Sequence, residues 1–235
     1  MLAIKNLGIN VIENIIKERT ENGEFTDYYN FCSRMYGKDL NKRALESLIK
    51  SGSLDSLKAN RRQMLSSLDE VLSIVESEKK EELMGQLSFF NTGVLQEKAE
   101  FTLPNVKELN KNDLLLLEKE ATGLYLSGHP LNDYSSFIKS ESAVSIQNIL
   151  ENNFKDNDKI TVVAVINEIK NKLTKNGFSM AFLNVEDQTE SINVTVFAKV
   201  YSFAKQYIKE NNVIKITGRI SEKEDRKKEI IADEI

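Results

Sequence analysis

Three groups of residues in this 235-residue chain are of types that recognise another molecule. The first is Gln86-Leu87-Ser88-Phe89-Phe90, where one amide and three apolar side chains stand between the charged run Glu76–Glu82 and the polar run Gln96-Glu97-Lys98. A short apolar cluster without an amphipathic element around it cannot bury itself locally, so it must dock on its own domain or on another protein. The second is Lys170, Lys172 and Lys175 around Asn176-Gly177. Three amines in one exposed loop make an electrostatic track for a phosphodiester backbone, and a solvated turn is the plain alternative. Phe178 and Phe182 stand near enough to stack bases, each worth on the order of 1–3 kcal/mol. Their alternation fits both to a core as well, and core packing is the reading preferred for them. Arg219 is a candidate for the same face. The third group is a pair of tight turns, Lys5-Asn6-Leu7-Gly8 and Lys50-Ser51-Gly52, with Lys42, Arg43, Arg61 and Arg62 supplying charge nearby. Backbone N–H groups at the start of a helix face a phosphate and hold a duplex without reading its bases. Either turn taken alone is equally an ordinary helical turn.

Catalytic patterns are lacking. Acidic residues are numerous but scattered, and no carboxylate pair has the strand-end spacing of a two-metal site. One His and one Cys exclude a His/Cys zinc site and an internal disulfide. His129 stands before Pro130 with no nucleophile signature beside it, so a capping or turn role is expected. Cys32 falls on the apolar side of an aromatic-rich helix and reads as a small core hydrophobe. No apolar run approaches a membrane span and the start is not signal-like, which points to a cytoplasmic protein. The net charge of −4 argues against a nucleic-acid binder until its distribution is considered. Residues 1–62 hold 11 Lys and Arg against 8 Asp and Glu, and residues 159–235 hold 13 against 11. Acidity is concentrated between them. Screening limits the reach of a charge to roughly 8–10 Å, so the mildly basic ends are the candidate binding modules.

The elements that must position these residues form two kinds. Residues 1–75 read as short helices joined by Gly turns: Val11, Ile12, Ile15 and Ile16 mark one, Phe25 to Met35 a second, Leu40 to Ile49 a third ending at Gly52, and Leu57 to Leu72 continue into a fourth. Residues 76–112 lack a strong period and are expected to be an extended or loosely packed linker. Residues 113–158 form a connector whose helix starts at Asp113 as N-cap and stops by His129, ahead of Pro130. From Lys159 the period becomes 2. Ile160, Val162, Ala164 and Ile166 mark a first strand, Phe178, Met180 and Phe182 a second, and Ile192, Val194 and Val196 a third. A helix with Phe197, Val200, Tyr201, Ala204 and Ile208 on one face follows, then strands at Val213–Ile220 and Glu229–Ile235. Three strands, a helix and two strands is the order of an OB-fold, a small five-stranded barrel, over 159–235. The fold class is therefore multi-domain α plus β.

Ile4-Lys5-Asn6-Leu7-Gly8 resembles the hairpin of a helix-hairpin-helix motif, with Asn6 where the first Gly usually stands. The type Q-L-x-F-F resembles the peptide by which bacterial replication proteins grip the sliding clamp. The connector string Glu118-Lys119-Glu120-Ala121-Thr122-Gly123-Leu124-Tyr125-Leu126-Ser127-Gly128-His129-Pro130-Leu131, the region Asn41 to Arg62, and Met180-Ala181-Phe182 followed by Glu186-Asp187 complete the set. In this order they resemble the C-terminal part of the alpha subunit of bacterial DNA polymerase III, a C-family replicative DNA polymerase. The resemblance implies that Gln86, Leu87, Ser88, Phe89 and Phe90 bind the clamp, that both hairpin turns touch duplex DNA, and that the barrel lies near single-stranded template. It implies partners among other replisome subunits and none in a membrane. The parent protein would be a nucleotidyltransferase using Mg, with its catalytic palm upstream. This chain would hold no cofactor and would not polymerise alone, and its start at Met1-Leu2-Ala3-Ile4 favours a fragment. The competing expectations are an RNA-binding OB module, such as an appendage of a tRNA-handling enzyme, and a purely structural connector.

Overall fold

A computed structural model describes residues 4–87, 101–151, 154–222 and 228–235, the side chains of 83–87 excepted. The chain divides into two compact units, Met1–Ser127 and Gly128–Ile235.

The first unit is helical: α1 (Ile9–Asn22), α2 (Tyr28–Met35), α3 (Lys42–Lys50), α4 (Arg61–Ser66), α5 (Leu68–Leu87) and α6 (Lys111–Thr122). Asx side chains start four of them. Asp27, Asn41, Asn60 and Asn110 each accept a hydrogen bond from the backbone N–H three residues on. That satisfies a donor which has no partner inside the helix. At Asn60 the box is reciprocal, because Gln63 Oε1 accepts the Asn60 N–H at 3.0 Å. Tyr28, Phe31, Met35, Leu45, Leu48, Ile49 and Met64 are fully buried and form the centre of the core. Cys32 is buried among them, and that burial pushes its thiol pKa up to about 12.

Two linker expectations are corrected here. The run from Glu76 is helical, since α5 continues to Leu87; Lys80 pairs with Glu76 at 2.6 Å and Lys79 with Glu82 at 2.9 Å along its surface. The stretch before α6 has no regular structure, yet it is tied down. Phe101 and Leu103 pack on the core, and the Phe101 ring stacks on Tyr29 at 5.7 Å. Pro104 and Val106 carbonyls accept from Gln63 and Asn60, and the Glu108 carboxylate accepts the N–H groups of Arg61 and Arg62. An acidic side chain at the free N–H groups of α4 is the favourable placement. The cap of α6 is Asn110 rather than Asp113. Asp113 sits three residues inside, where its carboxylate accepts from Asn110 Nδ2 at 2.7 Å. The helix ends at Gly123, in left-handed geometry at φ 81°.

The second unit is a closed barrel preceded by short helices. A 3-10 turn (Pro130–Tyr134), α7 (Ser135–Ser140) and α8 (Ile146–Glu151) lead into β1 (Lys159–Leu173), β2 (Ser179–Glu186), β3 (Ser191–Val196), α9 (Ala198–Ala204), β4 (Val213–Ser221) and β5 (Glu229–Glu234). The strands close in the order β1-β2-β3-β5-β4, with β3 and β5 the parallel pair. This is the five-stranded OB-fold barrel that the strand order predicts. Ile160, Val162, Ala164, Ile166, Ala181, Leu183, Val185 and Val194 fill it, with Ile146 and Ile149 of α8 against them. Gly218 is required by contact: a Cβ there would stand 2.3 Å from the Ile231 carbonyl oxygen, where the β4–β5 register shifts.

Candidate nucleic-acid interface

The basic hairpin of the barrel owes its orientation to a bulge. Ile160 to Ile166 point inward on even numbers, so uninterrupted alternation would turn Lys170 and Lys172 into the core as well. The β1–β2 register shifts between Ile166 and Glu168. Past that bulge Ile169 packs toward the core and Lys170 and Lys172 stand outside. Asn167, the inserted residue, donates from Nδ2 to Glu186 Oε2 at 2.7 Å.

Across the outer face, Lys170 pairs with Phe182, Phe182 with Thr195, and Lys172 with Met180. Lys172 Nζ lies 5.3 Å from the centre of the Phe182 ring. Lys170 makes an exposed ion pair with Glu168 at 3.0 Å. Lys175 is exposed at the tip, where Gly177 takes φ +79° and the Thr174 N–H donates to the Phe178 carbonyl at 2.8 Å. Phe178 is 64% exposed and Phe182 half-buried. The core reading preferred for these two Phe is corrected: the inward positions of β2 are Ala181, Leu183 and Val185, one residue out of phase with them. Phe197, expected on one helix face with Val200, Tyr201, Ala204 and Ile208, is also corrected. It caps α9 in extended geometry, 49% exposed, directly after Val196, the partner of Ala181. Its parity with Thr195 places it on the outer face, a position visible in sequence once the β3 phase is known.

Arg219 belongs elsewhere on the barrel. It pairs with Lys159 at the start of β1, roughly 36 Å along the strand from Lys170 at about 3.3 Å per residue. Its guanidinium is held by Asp233 through two bonds of 3.2 Å. The structure does not bring it to the hairpin.

In the helical unit the turn Lys5-Asn6-Leu7-Gly8 leads into α1. Asn6 takes φ 61°, the left-handed geometry that Asn tolerates, and donates from Nδ2 to Ser47 Oγ at 3.2 Å. The Lys5 N–H donates to the Ala121 carbonyl at 2.7 Å, and Leu7 is buried. An open cleft of about 440 Å³ is lined by Lys5, Asn6, Arg43, Glu46, Ser47, Lys50, Glu120 and Ala121. Lys50 bridges Glu46 and Glu120, both at 2.7 Å. Partial burial pulls its pKa down, the pairs with Glu120 and Glu46 outweigh that, and the net shift is upward. Lys5 and Arg43 are exposed there and make no ion pair with a described residue. Arg62 is exposed at the start of α4, and Lys42 pairs with Asp69 at 2.5 Å.

Arg61 and Ser51 are corrections. Ser51 is buried, its hydroxyl donating to the Leu48 carbonyl. Arg61 is buried too, bonded to Asp55 by Nε (2.9 Å) and Nη2 (2.8 Å), to Glu118 by Nη1 (3.1 Å), and to the Lys50 carbonyl. Glu118, 1% exposed, also accepts the N–H groups of Leu126 and Ser127, each at 2.8 Å. Burial raises its pKa, but those N–H donors and Arg61 outweigh it, and the carboxyl is held below its ordinary value. Gly52, at φ +78°, closes α3 against this guanidinium, where a Cβ would meet Arg61 Nη2 at 2.2 Å. Arg61 therefore holds the second turn together from inside and does not reach a duplex. His129 caps the 3-10 turn, its Nδ1 accepting the Leu131 N–H at 3.1 Å. Of the apolar pentamer, Gln86 and Leu87 end α5, and Ser88, Phe89 and Phe90 lie outside the described residues.

A helical hairpin unit followed by a closed OB barrel with a basic, aromatic hairpin is the architecture of a nucleic-acid-binding chain. Residues 1–64 match the family model of the helix-hairpin-helix motif, and residues 160–235 that of the OB-fold nucleic acid binding domain. Homologues cover 95% of the chain, and in them the matched stretch is the C-terminal part of the DNA polymerase III alpha subunit. The DNA polymerase III subunit alpha of Borreliella burgdorferi is 36% identical over 226 residues, that of Buchnera aphidicola 32% over 227, and that of Treponema pallidum 30% over 220. These alignments cover 95%, 93% and 94% of this chain. The chain spans about a fifth of the length of the relatives it matches, 20% of the first and 19% of the other two.

Proposed function

We propose that this chain is a non-catalytic DNA-binding and clamp-tethering segment of a replicative polymerase. The observation that carries the DNA part is the β1–β2 hairpin, where a bulge turns Lys170 and Lys172 outward beside Phe182 and leaves Lys175 and Phe178 exposed at the tip. A single strand would lay phosphates along the lysines and bases on the rings. Lys5, Arg43 and Arg62 are the cations available to the phosphates of a duplex, with Asn6, Leu7, Gly8 and Gly52 shaping the two turns. In this reading Gln86, Leu87, Phe89 and Phe90 anchor the sliding clamp, and modest peptide affinity becomes retention because clamp and DNA are held together. The magnesium chemistry of the parent polymerase is assigned to residues outside this chain.

The test is single-strand binding by anisotropy across a salt series. Lys170→Gln, Lys172→Gln and Lys175→Gln together are expected to shrink the slope of log affinity against log salt by about 2, at roughly 0.7 per phosphate contact. An unchanged slope removes the hairpin assignment.

A further inference from the structure

The segment between β3 and β4 carries a second basic and aromatic face that the hairpin track does not use. α9 and the turn after it bury Tyr201, Ala204 and Ile208 against the barrel. The opposite side is turned out: Phe203 is 77% exposed and Tyr207 54%. These two stand four residues apart on one helical path. The path continues past the end of α9, because the N–H groups of Tyr207 and Ile208 both donate to the Ala204 carbonyl, at 2.9 and 3.3 Å. Side chains at that spacing share a face. Lys199, Lys205 and Lys209 are exposed along the same segment, and none makes an ion pair with a described residue. Between Phe197 and Asn212 the only acidic residue is Glu210.

A single exposed Phe is ordinary. Two exposed rings with Lys199 four residues before Phe203 on the same side, and with Lys205 and Lys209 exposed elsewhere on the segment, contribute nothing to the barrel core, and rings and Lys199 together are complementary to stacked bases and phosphates. The helix is fixed to the strand that carries the hairpin. Tyr201 Oη donates to Asn171 Oδ1 at 3.1 Å, which ties α9 to β1 beside Lys172 and Leu173.

We infer that the α9 face binds further nucleotides of the same single strand, with Phe203 and Tyr207 as stacking platforms and Lys199 on the phosphates. The inference rests on the hairpin reading above for its first station and extends the path beyond it. It makes affinity depend on length: a short oligonucleotide occupies the hairpin alone, and a longer one reaches α9. Site sizes of about 4–16 nucleotides per OB-fold leave room for both.

Labelled oligothymidylates of about 6 and about 16 nucleotides, titrated by anisotropy against the full chain, test this. F203A/Y207A is expected to weaken the longer probe roughly tenfold and to leave the shorter one unchanged. Both side chains are exposed, so the melting temperature should not move. Wild-type affinity of this variant for the longer probe, or an equal loss for both lengths, overturns the inference. If K170Q/K172Q/K175Q binds both probes as wild type while F203A/Y207A loses the longer one, the hairpin reading fails and the α9 face stands. A wild-type chain that binds neither probe overturns both.

Discussion

Arg61 and Glu118 illustrate how little a charged side chain's type reveals about its use. Both are buried, and each satisfies the other along with backbone groups. Removing one partner leaves an uncompensated charge inside the unit, which costs about 3–5 kcal/mol. Arg61→Ala is therefore expected to lower the stability of the helical unit by that order in urea unfolding, while Arg62→Ala stays within about 0.5 kcal/mol as a surface change. Glu18 offers a pH test. Bonds from Lys38 and from Arg34, the latter at 2.9 Å, hold its carboxyl at about 2 rather than 4.5. A carboxyl depressed by folding stabilises fully above its unfolded pKa and loses that contribution as pH falls through the folded value. Stability should thus drop between about pH 4.5 and 2, and Glu18→Gln should flatten that part of a stability-against-pH curve. An identical curve for the variant would refute the assignment.

Elements, rather than residues, decide which side chains of the barrel are presented. The bulge at Asn167 and the register shift at Gly218 are each one residue, and each resets a strand. Gly218→Ala would place a methyl 2.3 Å from the Ile231 carbonyl. We expect it to separate β4 from β5 and to destabilise the barrel by more than about 2 kcal/mol, read from thermal unfolding. Strand order and element types were legible in sequence because the apolar period switches from helical to 2 at Lys159. Bulges were not legible, because an inserted residue shows only as a phase change against a partner strand, and pairing is a long-range contact. Hence Phe182 read as core from its own strand and emerged as surface once Leu183 and Val185 were seen to pair with Ile169 and Ile166. The connector helix shows the same limit on a smaller scale: Asn110 and Asp113 are both good caps by type, and only the observed turn distinguishes them.

At the scale of the whole chain each unit has its own core, and among the described residues the second unit adds a smaller cluster of Leu131, Val163 and Val165. Residues 128–235 alone are expected to fold, to melt cooperatively and to keep the salt-dependent single-strand affinity of the full chain. Loss of that affinity with the fold intact would move the binding face away from the barrel. Clamp tethering has its own test. Gln86→Ala, Phe89→Ala and Phe90→Ala together should abolish calorimetric binding to a bacterial sliding clamp and leave both melting transitions in place. Equal affinity of variant and wild type would end that reading.

Sequence by itself determined the helical-then-barrel order, the exclusion of an internal disulfide and of a His/Cys zinc site by a chain with one Cys and one His, and the presence of lysines and aromatics in the first barrel hairpin. Those properties are local: period, composition and turn residues need no partner to be read. Tertiary structure alone decided that Arg61 and Ser51 are internal, that Arg219 sits far from the hairpin, and that Phe178, Phe182 and Phe203 face outward. Burial and facing are relations between segments distant in sequence, and the free energy that sets them is released only when those segments meet.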